Sequence, residues 1–224
     1  MTYSELYTLI QNFTDNNEST FNTTIPDFIK NAEDRIFNLV QSDFFRKNVT
    51  GNLSTGSRFL TCPTDFILSF SLAVIDSSSD YQFLQKKHPS FMQEYTPDIS
   101  DTSLRGLPLY YADFDKDYST SGSSGTTIVV APLPDSAYTV ELHYLYRPTS
   151  LVTTTTGTWL SQNARDALLY GSLVEAYTFM KGEPDLLATY ETRFQENIAR
   201  LKNRAEARGR RDEYRYDSLR SSVS

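Results

Sequence analysis

Four groups of residues have types and spacing that could do chemistry. Asp113, Asp115 and Asp117 form the D-x-D-x-D opening of a calcium loop. Such a loop needs glycine at its sixth position and a bidentate glutamate at its twelfth. Tyr118 and Ser124 stand there, so a solvated acidic loop is the better reading. Gly122-Ser123-Ser124-Gly125-Thr126 approaches a nucleophile elbow, but threonine replaces the closing glycine. Cys62, His88 and His143 are the whole cysteine and histidine complement, too few for a Cys/His zinc site. His143 falls in an alternating strand pattern, where a packing or surface role is commoner than a base. Glu183 and Asp185 sit in the first turn of a predicted helix, where negative charge suits the helix dipole. No Walker loop, H-E-x-x-H or dinucleotide fingerprint occurs. The sequence therefore assigns no catalytic, cofactor or metal residue. A hydrolase built from carboxylates distant in sequence stays open, because sequence does not reveal spatial pairs.

The elements that would position any site come in three blocks. Thr2 and Glu5 fit a capping box, and Leu6, Leu9, Ile10 and Phe13 follow at helical spacing. Thr24 is the expected cap of a second helix, with Pro26 in its first turn. Its apolar stripe runs Ile25, Phe28, Ile29, Ala32, Ile36, Leu39 and Val40. From Phe44 to Gly157 the period changes to two. Phe66, Leu68, Phe70, Leu72 and Val74 are expected on one strand face. Strands are also expected at Tyr81–Phe83, Leu109–Phe114, Thr127–Ala131 and Tyr138–Tyr146, with a short helix near Ser90–Glu94. The Ser/Thr/Gly-rich Ser119–Thr127 reads as an exposed hairpin tip. Thr153–Gly157 reads as a joint.

The last block is a helix capped by Ser161, a break at Lys181-Gly182-Glu183-Pro184, and a second helix. Leu168, Leu173, Tyr177 and Met180 belong to a helix apolar on most sides, as in a bundle core or subunit interface. Tyr190, Phe194, Ile198 and Leu201 lie on a narrow seam. The economical fold is α+β: a four-helix bundle formed by both termini (1–43 and 158–208) with an inserted antiparallel β-sandwich or barrel-like domain (44–157). An extended C-terminal arm, 209–224, follows.

Composition narrows the classes. The 224 residues are 39% hydrophobic and 22% charged, an ordinary globular balance with a sizeable core. A lone cysteine makes no internal disulfide. Residues 1–5 lack a basic or apolar leader pattern, and the longest near-apolar run, Phe66–Ile75, is too short to span a bilayer. A reducing cytoplasm is the expected site of synthesis, and the five N-x-Ser/Thr sequons read as chance. Net charge is −7, unevenly spread: residues 199–224 carry eight Lys/Arg against four Asp/Glu, leaving −11 on the other 198. An acidic body argues against general nucleic-acid binding and suits a conduit through which DNA passes. In the tail Arg208, Arg210, Arg211, Tyr214, Arg215, Tyr216 and Arg220 interleave with acids. A frayed terminus would look like this. So would an arm that orders on a partner through Arg and Tyr anchors.

The stretch Leu173-Val174-Glu175-Ala176-Tyr177-Thr178-Phe179-Met180-Lys181, the Gly-Glu-Pro break, and Tyr190 to Leu201 resemble the head-to-tail adaptors of short-tailed bacteriophages, the tail tubular protein A type. Tyr3-Ser4-Glu5-Leu6, the helix Phe28–Val40 and the order helix-helix-strands-helix-helix-tail also resemble that family. The resemblance implies a non-enzymatic virion protein of the neck, assembled in the host cytoplasm. It implies a 12-fold ring that joins the portal protein to the tail nozzle protein and lines the DNA channel without sequence-specific binding. The arm would reach the portal, and the β domain would face the nozzle and tail fibres. Two other classes remain open: a virion-associated cell-wall hydrolase, and a receptor- or glycan-binding tail module.

Overall fold

A computed structural model describes residues 1–40, 43–76, 78–116 and 126–213; at 43, 115–116 and 208–213 it describes the backbone alone. The chain is mixed α+β and divides into two compact units, Met1–Phe44 with Pro148 onward, and Phe45–Arg147. Residues 148–157, expected with the strands, belong to the helical unit.

The helical unit opens with α1 (Tyr3–Thr14), held at its start by the expected capping box. Thr2 Oγ1 accepts from Glu5 N at 3.3 Å, and Glu5 Oε2 accepts from Thr2 N at 3.0 Å. The next helix, α2 (Ser19–Leu39), starts five residues before the expected Thr24 cap, and Pro26 lies inside it. Proline there removes one helical hydrogen bond. Complete burial of Phe21 and Ile25 on either side of Thr24 offsets that loss. Thr23 and Thr24 instead donate their hydroxyls to the Thr20 carbonyl.

A short α4 (Leu151–Thr154) overlaps the first two residues of the expected joint, Thr153–Gly157. Ser161 is not a cap. It is the third residue of α5 (Trp159–Asn163), capped by Thr158, whose Oγ1 accepts from Ser161 N at 3.2 Å. The chain turns at Ala164 and enters α6 (Arg165–Met180), then α7 (Pro184–Glu213). Helix α6 is central, with α1, α2 and α7 packed on it. At its middle, a Cβ on Gly171 would lie 3.0 Å from the Phe194 ring and 3.1 Å from Ala32. That absence of a side chain lets three helices meet. At the break, Lys181 adopts the left-handed conformation (φ 53°), not Gly182. Gly182 is required for another reason: a Cβ there would come 2.6 Å from Tyr177 Cδ1. Residues 209–213, assigned to the extended arm, continue α7. Ala205, Glu206, Ala207 and the arginines that follow favour helix.

The β unit holds two four-stranded sheets. One runs β1 (Arg46–Leu53), β8 (Tyr138–Tyr146), β3 (Phe66–Ile75), β4 (Tyr81–Phe83). The other runs β2 (Phe59–Thr61), β7 (Thr126–Ala131), β6 (Tyr110–Lys116), β5 (Gln85–Lys86). Pairing is antiparallel except between β5 and β6. Leu53, Leu72, Val74, Val140 and Leu142 of one sheet and Leu60, Tyr111, Ile128 and Val130 of the other form one buried cluster, so the architecture is a sandwich. The outer face of the second sheet is covered in part by α3 (Pro89–Tyr95), whose Met92 packs on Ala112, Val129 and Ala131.

The expected five-residue face of β3 does not survive. Register shifts between Phe66 and Leu68, and between Ser69 and Ser71, break the alternation. Phe66, Leu72 and Val74 stay inside, Ser69 is buried, and Leu68 and Phe70 become 41% and 43% exposed. Arg46 then stands over the Phe70 ring, 4.3 Å from its centre.

Candidate functional site

The register of β8 against its neighbours assembles a polar network on the outer face of the first sheet. His143 lies opposite Ser71 on β3 and Asn48 on β1. Glu141 Oε1 accepts from Asn48 Nδ2 and pairs with His143 Nε2, both at 3.0 Å. Its Oε2 accepts from the Tyr81 hydroxyl at 2.9 Å. His143 Nδ1 is 3.2 Å from Ser71 Oγ. The amide of Asn48, then Tyr81 and His143, hold the Glu141 carboxyl below its ordinary range. The carboxylate in turn holds the Tyr81 phenol above its own.

The order carboxylate–imidazole–hydroxyl is that of a hydrolase relay, but an acyl-transfer site also needs donors aimed at the developing oxyanion. Here Ser71 pairs with His143 on β8, β4 pairs with β3 at Ala73–Ile75, and Glu141 is already met by three partners. The arrangement ties the four strands of this sheet together.

A second network bridges the two sheets. Lys86 Nζ reaches Asp113 Oδ2 at 2.6 Å and Ser69 Oγ at 2.9 Å, and Ser69 Oγ donates to Asp113 Oδ1 at 2.6 Å. A serine beside a lysine can be a catalytic dyad if the amine is neutral. Here the Lys86 amine and the Ser69 hydroxyl are both engaged by the Asp113 carboxylate, so the trio is a polar clasp. The same observation places Asp113 in a strand, engaged with Lys86. Asp117 and the remainder of the calcium-like stretch lie outside the described residues, as does most of the hairpin tip. Cys62 is buried, and burial, then the Asp113 charge, push its thiol up to about 12. Such a thiol is a packing group, not a nucleophile. Among the described residues no group of three or more His, Cys, Asp and Glu is placed to hold a metal. No described helix is long and apolar enough to cross a membrane.

The helical unit holds the residues singled out for packing. Leu168, Leu173, Phe194, Ile198 and Leu201 are buried, while Tyr177, Met180 and Tyr190 are half-buried. Tyr190 connects Tyr177 (ring centres 5.0 Å apart) with Tyr170 (6.1 Å). Burial and the Tyr177 hydroxyl push the Tyr190 phenol up to about 12. Arg35 of α2 pairs with Glu191 of α7 and stands 4.5 Å over the Phe194 ring. Glu33 is 8% exposed, and its carboxylate accepts from Leu151 N at 2.9 Å. Burial raises its pKa, opposed by bonds from Ser150 and Leu151. Of the arm, Arg208, Arg210 and Arg211 lie on the last turns of α7, while Tyr214, Arg215, Tyr216 and Arg220 fall outside the described residues.

Sequence reasoning missed the Glu141 network, the Lys86 clasp and Glu33. Each depends on strand register or helix contact between residues far apart in sequence. Glu33, expected with Lys30, Asp34 and Arg35 mostly on the faces away from the apolar stripe, is buried instead.

No curated protein matches this chain. Its two units, one helical and central on α6, the other a β-sandwich, are both spanned by a single family model, SU10 adaptor protein, which matches residues 1–220. The chain therefore belongs to the SU10 adaptor protein family.

Proposed function

We propose that this adaptor joins head to tail in a bacteriophage virion, in the manner of the tail tubular protein A type. Copies form a ring, taken as dodecameric, between the portal and the tail nozzle in the neck. Their lumen passes DNA without reading its sequence. The role is structural rather than enzymatic. Helices α1, α2, α6 and α7 act as a four-helix bundle formed by both termini. Leu168, Leu173, Tyr177, Met180, Tyr190, Phe194, Ile198 and Leu201 serve bundle and ring packing. The β-sandwich faces nozzle and fibres. The basic segment from Arg208, with Tyr214, Arg215, Tyr216 and Arg220, reaches the portal once the host cytoplasm has supplied both partners.

The observation that carries this reading is the family match across residues 1–220, which takes in both units and most of the tail. The acidic body and basic tail agree with it. Deleting residues 209–224 tests it. The expected product is a folded chain, by circular dichroism, that no longer joins portal-bearing heads. Unimpaired joining would remove the arm from the mechanism.

A further inference from the structure

The exterior of α6 and α7 carries a groove of about 480 Å³ that adjoins a second of about 380 Å³; the two share Asp166, Asn197 and Arg200. Four arginines line them: Arg165, Arg193, Arg200 and Arg204. Their carboxylates are Asp166 and Glu196. Among the described residues none of the four arginines forms an ion pair. Arg193 donates to the Tyr170 hydroxyl at 3.0 Å and stands 5.6 Å over that ring, and Arg204 donates to the Asn163 carbonyl. A net positive groove on a chain of net charge −7 is a local reversal of sign.

The same unit has a surface of opposite sign. On α1, α2 and the turn between them Glu5, Asp15, Glu18, Asp27 and Asp34 are exposed, against one exposed cation, Lys30. None of the groove's lining residues lies in α1 or α2. We propose that the α6–α7 groove docks a second copy of this chain, which presents the acidic outer face of its α1 and α2. The inference rests on the ring reading and names its surfaces. Two different faces of one unit meet, so the contact is heterologous and repeats head to tail, which is what a closed ring requires. Arginine and tyrosine are the side chains that dominate such contacts.

Sedimentation of the full chain up to about 1 mM at low and high salt tests this, since a single weak contact falls in that affinity range. The wild type is expected to self-associate, less so at high salt. Arg193→Glu with Arg200→Glu is expected to weaken association about tenfold or more, as reversal of facing charges does. Glu18→Lys with Asp27→Lys is expected to do the same, and a mixture of the two variants to associate again. Circular dichroism confirms that both pairs fold. A wild type that stays monomeric throughout overturns the proposal while leaving portal binding, and with it the adaptor reading, intact. So does undiminished association of the arginine variant, or a mixture that fails to associate. Duplex DNA retained by the wild type and released by the arginine variant would also overturn it, making the partner a nucleic acid.

Discussion

The two units dispose of their polar groups in opposite ways. In the β-sandwich they bond to one another: Glu141 with Asn48, Tyr81 and His143; Lys86 with Asp113 and Ser69; Asp65 with Lys47 and Tyr144. Its exposed aromatics include Tyr81 and Phe83, stacked on an edge strand. In the helical unit the centre is apolar and tight around Gly171, and among the described residues Arg165, Arg193, Arg200 and Arg204 form no ion pair on its outer face. A side chain whose bonding capacity is filled internally offers little to a partner, whereas an unpaired arginine beside a tyrosine does. On the proposed reading, assembly falls chiefly to the helical unit, and cohesion of the β unit to its own networks.

The comparison breaks most visibly at the helical centre. Phe194→Ala is expected to cost about 3–5 kcal/mol, because a fully buried ring leaves a cavity between three helices. Urea unfolding checks it, and a loss below about 1 kcal/mol would mean that α7 is not held there. In the sandwich, Lys86→Met removes the shared donor of the clasp. Both side chains are partly exposed, so the expected loss is smaller, about 1 kcal/mol.

Glu33 gives a pH signature. Its folded pKa is raised, so the folded state binds the proton more tightly than the unfolded chain. Its contribution is greatest in acid and falls as pH rises from the ordinary glutamate value through the raised one. Glu33→Gln keeps an oxygen for Leu151 N and is expected to abolish that fall. Thermal unfolding between pH 4 and 7.5 measures it, and parallel profiles would contradict the assignment. Cys62 is expected to resist alkylation at pH 8 until the chain unfolds, since its thiol is pushed up to about 12. Rapid labelling of the native protein would show that the sandwich core is open. The smallest effect belongs to His143→Ala, expected within about 0.5 kcal/mol because the site is a solvated sheet face.

Legibility in the sequence followed the range of the interactions. The Thr2–Glu5 box, the Pro184 start and the stripes of α2 and α7 depend on residues within one or two turns, and they read directly. Pro26 misled because a local rule was outweighed by burial of Phe21 and Ile25. Ser161 misled because a five-residue helix with its own cap precedes α6. On β3 a clean alternation was broken by bulges that sequence does not mark. The Ser71–His143–Glu141 line and the α6–α7 groove exist through register and packing, so no spacing announces them.

The central claim is that this chain is an adaptor that assembles on a portal. The direct measurement is the mass of the species formed when the purified chain, at micromolar concentration, is mixed with cognate portal rings. The account expects a discrete complex carrying a full ring of copies, lost on deletion of residues 209–224. A chain that stays free in the presence of portal, or binds it as single copies without closing a ring, would contradict it.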